Sequence, residues 1–451
     1  MATKKRFAPY VINRLATQSA AATTEWRRQN AKCVETEILK PESFLPVTTG
    51  TSGRSPICFT IKSVPHSRVD GANIFVETQF VIEKYEKTTK KWTPTDGEDL
   101  VIPIANTAQS LFEDLNVSIN GVLAENTQRD YTIKAYLQNL LFSTPSDRAT
   151  WMESGLLALD GAGAFRQIKA MSDAGWANNH PGNSSRKRTT DGTKTSKVYS
   201  RLLSDVLACN EPLPDNVNIN IKLFPAKSEA CLVQTVPKST KDEDIPQYRV
   251  TISDCTLYVP RITLITNKPN VDHVLSFTNW KTLAYTHKSS QTMFKTAIAI
   301  GETLPQKAMV VFMTEEAYNG SWETNKVEFK SCRVSSVVMK CNQRHVPFMN
   351  GYQCDWENDL YHPAYVGLTT ELGAVGHPIL YDGFDEGYAI FGFDLTPNKT
   401  GNVALEQPNR GALELDVEFK PAPNANLMVI VVLIYADRFV ITKDGSFSNI
   451  T

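Results

Sequence analysis

The chain has 451 residues, with 47 Lys and Arg against 48 Asp and Glu, so its formal net charge is -1 and its surface as a whole has no electrostatic reason to seek nucleic acid. Hydrophobic residues at 41% and charged residues at 21% are globular proportions that exclude a disordered or fibrous chain, and the length calls for two domains of roughly 200 residues. The longest apolar run, Leu427–Tyr435, is about half of what a membrane-spanning helix needs, so no membrane span is expected.

Residues 1–38 read as a basic N-terminal arm. Lys4, Lys5, Arg6, Arg14, Arg27, Arg28 and Lys32 stand against Glu25, Glu35 and Glu37, with too little apolar periodicity to join a core. The arm is expected to be dispensable for folding and needed for assembly with other subunits. No signal-peptide stretch follows Met1, so the chain is expected to stay out of the secretory pathway, and its Asn-x-Ser/Thr matches read as fortuitous.

Beyond the arm the pattern is β. Residues 74–82 are rich in β-branched and aromatic side chains, and 116–119, 217–223 and 413–419 alternate apolar with polar. Strands that hide one face and wet the other are what a β-sandwich requires. A helix is expected where Ile133, Tyr136, Leu137, Leu140 and Leu141 form a stripe, stopped before Pro145. A second is expected to start at Thr144 as N-cap, with Pro145 first and Asp147 in the opening turn. Asn178–Lys197 reads as a long polar loop, and Lys238–Asp244 as a second polar interruption.

Three segments recur in the same order. Val217–Ala226 (VNINIKLFPA) matches Ala412–Ala422 (ALELDVEFKPA), aligning Ile219, Ile221 and Leu223 on Leu415, Val417 and Phe419. Thr256–Leu264 matches Leu433–Ile441, with Tyr and Arg three apart in both, and Val117–Gly121 matches Met339–Gln343 more weakly. Two copies of one β-domain follow, residues 39–266 and 267–451, with Asn267-Lys268-Pro269-Asn270 as the linker.

No constellation of chemistry stands out, and no catalytic, cofactor-binding or metal residue is assigned. Cys33, Cys58, Cys209, Cys231, Cys255, Cys332, Cys341 and Cys354 lack the close pairs of zinc or redox sites and read as buried free thiols. Asp355, Glu357, Asp359 and His362 could ligate a hard cation, but the register of a calcium loop is missing and a solvated loop is the plainer reading. The histidines form no His-x-His pair and no Gly-x-Ser-x-Gly elbow frames a serine, so an enzyme is not expected. Arg186-Lys187-Arg188 reads as a nuclear-import signal or a wet loop.

The run Asn106–Leu123 (NTAQSLFEDLNVSINGVL), followed by Tyr131–Leu141 (YTIKAYLQNLL), resembles a block of the Polinton/Maverick-type (adintovirus-like) double jelly-roll major capsid proteins. Leu159–Gly163 (LDGAG), Glu316–Ser321 (EAYNGS) and Glu386–Pro397 (EGYAIFGFDLTP) are similar to later blocks of that family, in the same order. The likeness spans residues 100–440 and leaves the arm and the 184–197 segment without a counterpart. It implies an all-β fold of two tandem eight-stranded jelly-rolls with a few short helices in inserted loops. It implies a non-enzymatic subunit of a virion's icosahedral capsid, forming pseudohexagonal homotrimers as in adenovirus hexon. Its partners would be itself, neighbouring capsomers, penton and minor capsid proteins, around double-stranded genomic DNA held without sequence-specific contacts. Assembly would take place in the host nucleus or cytoplasm. The other reading of the pattern is a tandem β-sandwich module that binds glycans or proteins.

Overall fold

The computed structural model describes residues 31–42, 47–48, 55–190, 195–236, 245–265, 271–397, 399 and 410–450. Its first eight main strands are β1 (Ala31–Leu39), β2 (Ile57–Ile61), β3 (Phe75–Glu86), β4 (Phe112–Ile119), β5 (Val122–Asn126), β6 (Ser196–Arg201), β7 (Ile219–Pro225) and β8 (Tyr248–Leu264). The next eight are β9 (His273–His287), β10 (Met293–Thr303), β11 (Lys307–Thr314), β12 (Val334–Cys341), β13 (Arg344–Val346), β14 (Ile390–Asp394), β15 (Arg410–Phe419) and β16 (Leu427–Ile441).

The first half stacks as β1-β8-β3-β6 over β2-β7-β4-β5, and the second as β9-β16-β11-β14 over β10-β15-β12-β13, with short strands flanking these paths. Counted within each half, the orders are the same: 1-8-3-6 and 2-7-4-5. Two antiparallel four-stranded sheets wound in that order make a jelly-roll. The chain is two of them in tandem, as the sequence leads one to expect.

The alternating segments keep their alternation. In β7, Ile219, Ile221 and Leu223 are buried while Lys222 is exposed. In β16, Val429, Val431 and Leu433 face one side and Ile430, Val432 and Ile434 the other, and all six are buried. Both faces are covered because the sandwich partner lies on one side and inserted segments on the other, which is why this strand reads as one apolar run. The helix α1 (Tyr131–Phe142) forms where the stripe predicts it, and every residue but Gln138 is buried. Its Ile133, Tyr136, Leu137 and Leu140 share a cluster with Val310, Phe312 and Val431 of the second jelly-roll, while Tyr131 and Ala135 join the core of the first. One helix thus wedges both cores together. Thr144 caps the short helix Pro145–Arg148 through a reciprocal box with Asp147.

Three expectations need correction. The arm was expected to run to residue 38, but Ala31–Leu39 is β1, paired along its length with β8, and Arg261 donates to Glu37 at 2.5 Å. Its side chains are almost all exposed on both faces, so it carries no core periodicity to read. Residues 1–30 lie outside the described residues, as do Lys238–Asp244 and the expected linker 267–270.

Second, the expected polar loop contains α2 (Pro181–Thr190). Arg186 is fully buried: it pairs with Asp160 and donates to the Pro103 carbonyl at 2.9 Å and to the Ala158 carbonyl. Lys187 donates to the Asp99 carbonyl and, at 3.0 Å, to that of Lys169. These two residues are therefore neither a wet loop nor an accessible import signal.

Third, the repeat is real but its register differs by two. Asn120 and Asn342 occupy equivalent turns, each with φ 49° and a positive-φ successor, Gly121 at 83° and Gln343 at 66°. Each exchanges a pair of hydrogen bonds with the backbone at the start of the seventh strand, Asn120 with Asn218 and Asn342 with Ala412. Ile219 opposes Ile119 as Leu413 opposes Cys341, so Ile219 corresponds to Leu413 rather than Leu415. The two Pro-Ala pairs are not equivalent: Pro225 stands opposite Phe112 as Phe419 stands opposite Val334. Because the shift is two residues, the buried face is unchanged.

Candidate functional site

The residues that sequence reasoning weighed as ligands do not converge. Asp355 accepts from the Asn358 side chain at 2.8 Å, Glu357 pairs with Arg333 at 3.2 Å, and His362 meets the Tyr381 hydroxyl at 3.1 Å. Among the described residues no group of three or more His, Cys, Asp or Glu could hold a metal ion. Cys209, Cys231, Cys255, Cys341 and Cys354 are buried free thiols; Cys33 is exposed and Cys58 and Cys332 are half-buried. No helix of the described residues is long and apolar enough to cross a membrane.

The concentrated chemistry lies instead in the seam between the jelly-rolls. Lys134 on α1 reaches Glu125 on β5 and Asp205, each at 2.7 Å, and all three are buried. Asp205 in turn accepts the backbone amide of Trp280, on β9 of the second jelly-roll, at 2.7 Å. Glu125 accepts the amides of Asp205 and Val206 at 3.1 and 3.3 Å. Two carboxylates share one ammonium, so the cluster carries one excess negative charge while both acids are ionised, and its three residues also line a polar cavity at the seam. Burial, reinforced by Glu125, pushes the Asp205 carboxyl up to about 7 against the opposing pull of Lys134. Burial works against the Lys134 ammonium, but the two carboxylates outweigh it and hold its pKa above the ordinary lysine value.

A second tie repeats this chemistry. Tyr318 donates to Asp130 at 3.0 Å, Lys326 lies over the Tyr318 ring at 5.3 Å, and burial lifts Asp130 to about 6. Further bonds cross the seam from Tyr388 to the Asp160 carbonyl at 2.7 Å and from Asn120 to the Gly445 carbonyl at 2.6 Å. The arrangement fixes two sandwiches as one slab.

A pH dependence follows. Asp205 and Asp130 both have folded pKa values above the unfolded value near 3.9. The folded state therefore holds their protons more tightly, and this stabilisation is complete below about pH 4 and lost as pH rises through about 6 to 7. The melting temperature is expected to fall between about pH 5 and about pH 8. Asp205→Asn, which keeps an acceptor for Trp280, should flatten that fall; equal slopes in variant and wild type would contradict the assignment.

Among the described residues, β1 and β10 are edge strands of their sheets. On β1, Val34 and Ile38 are 45% and 62% exposed; on β10, Met293 and Ile300 are 54% and 75% exposed. Edge strands that carry exposed apolar side chains are surfaces on which another chain can pack.

No protein-family model matches the chain. It is 23% identical over 363 residues to the uncharacterised protein F54H12.2 of Caenorhabditis elegans, covering 75% of this chain and 79% of that protein. Among solved structures, a chain of the Sputnik virophage matches with TM-score 0.64 at 13% identity, covering 93% of this chain and 89% of the other. The mavirus major capsid protein matches with TM-score 0.54 at 12% identity, covering 92% and 90%. The fold is the double jelly-roll of viral major capsid proteins. A chain of the PBCV-1 virus capsid agrees, with TM-score 0.51 at 10% identity over 93% and 97%. The resemblance read from the sequence therefore holds at the level of the fold. The residues it missed, those of the seam, had one visible signal: Lys134 is a charged residue set among the apolar residues of the helix stripe.

Proposed function

We propose that this double jelly-roll chain is the structural major capsid protein of a double-stranded DNA virus or virus-like mobile element, and not an enzyme. The observation that carries the reading is the repetition of one strand order in both halves. Three copies of a doubled domain supply six similar sandwiches, enough for a pseudohexagonal capsomer with closed symmetry. The open edges β1 and β10 supply apolar surface for neighbouring copies. Penton and minor capsid proteins would complete the shell, the genomic DNA would be enclosed without sequence readout, and the virion would be the site of action. The basic residues before β1 are assigned to contacts with neighbouring subunits or inner-shell proteins. A relative in C. elegans fits an element carried in animal genomes.

The test is the mass in solution. Sedimentation of the full chain, 50.2 kDa as a monomer, is expected to give a stable trimer of three times that mass, burying well over the ~2,000 Å² of an obligate interface. A monomer at micromolar concentration would favour the tandem β-sandwich binding module instead.

A further inference from the structure

The seam shows what covers the first strand of a jelly-roll. On one side β9 pairs with β16; on the other its backbone is met by the segment that joins β6 to β7 in the first jelly-roll. Ser276 donates its amide to the Asn210 side chain at 2.9 Å and accepts the Asn210 amide at 3.0 Å, and the Trp280 amide goes to Asp205. Glu125 and Asn126 of β5 line one cavity with Phe277 and Trp280 of β9. The side of the first jelly-roll that carries its fifth and sixth strands thus packs on the first strand of the second.

By strand order β1 is the counterpart of β9, and β13 and β14 are the counterparts of β5 and β6. Among the described residues β1 pairs with β8 on one side and with no strand on the other, so the edge covered in β9 is uncovered in β1. The side that carries β13 is exposed as well. Arg344 and His345 face solvent, and in the turn that follows Phe348 and Met349 are 51% and 83% exposed. The charges are complementary in sign: β1 holds Glu35 and Glu37 against Lys32, while β13 holds Arg344 and His345 and no acid.

We infer that the β13 side of each second jelly-roll docks on the β1 edge of the first jelly-roll of a neighbouring copy, with Phe348 and Met349 against Val34 and Ile38. This contact rests on the capsomer reading and repeats between chains the packing that β5 and β9 make within one. It is head-to-tail, and alternating with the internal seam it lets three chains close a ring of six sandwiches. It also buries the apolar side chains that both surfaces leave in water.

Cross-linking of the full chain tests the pairing. Cys33 is exposed on β1, beside Val34, and supplies one thiol; Met349→Cys supplies the other. A short bis-maleimide is expected to join Met349→Cys chains into covalent dimers and trimers, stopping at three, and adding Cys33→Ser should abolish both products. Ile38→Asp, at an exposed position that leaves the core untouched, should turn a sedimenting trimer into monomer at micromolar concentration. In a chain that sediments as a trimer, cross-linking no greater than in wild type, products that survive Cys33→Ser, or an Ile38→Asp variant that stays trimeric would overturn this edge pairing and leave the trimer standing. A wild-type chain that sediments as a monomer would overturn both. If one of the two variants does not fold, the other decides.

Discussion

Replacing Lys134 with methionine is expected to destabilise the protein by about 3–5 kcal/mol, the range for stripping one partner from a buried ion pair. Methionine roughly keeps the volume of the side chain, so packing on α1 changes little and the loss is electrostatic. It leaves Glu125 and Asp205 facing one another without their shared cation, in the seam where Asp205 also anchors the Trp280 amide. The damage should be milder near pH 5 than at pH 8, because Asp205, already pushed up to about 7, then takes a proton. Adding Glu125→Gln and Asp205→Asn to the lysine change should recover much of the loss, since no buried charge remains. Denaturant midpoints of the single and triple variants measure this, and a single variant as stable as wild type would show that the cluster does not hold the seam.

Val431→Asp should remove soluble folded protein altogether. Val431 is fully buried in the centre of β16, between Leu283 of β9 and Val310 of β11. An aspartate there has no cation and no water, and its desolvation costs several kcal/mol, a large share of the 5–15 kcal/mol typical of a folded domain. Val431→Ala, which leaves only a cavity, should cost less and remain foldable. Normal yield and melting temperature for the aspartate variant would mean that β16 is not central.

The contrast between β16 and β1 explains how much of the fold could be read from sequence. Strands with one buried face leave a period of two, and β16, with both faces covered, leaves an unbroken apolar run; either pattern is visible. An edge strand whose side chains mostly face solvent, such as β1, leaves neither, and its membership in the sheet is carried by backbone hydrogen bonds that no side chain announces. The helix α2 was hidden for a related reason. Its buried face is Asn183, Arg186, Lys187 and Thr190, held by main-chain carbonyls and Asp160, so a polar composition disguised a packed element. The seam was beyond the reach of local pattern, since Glu125 and Asp205 are separated by 80 residues and meet only when α1 sets Lys134 between them.

In the proposed capsomer, three copies with two jelly-rolls each build a six-fold-like unit. Electron microscopy of the purified full-length protein addresses it most directly. Particles with a near-hexagonal outline, three-fold symmetric, with six β-sandwich densities around a centre are expected. Isolated two-lobed particles at the same concentration would contradict it.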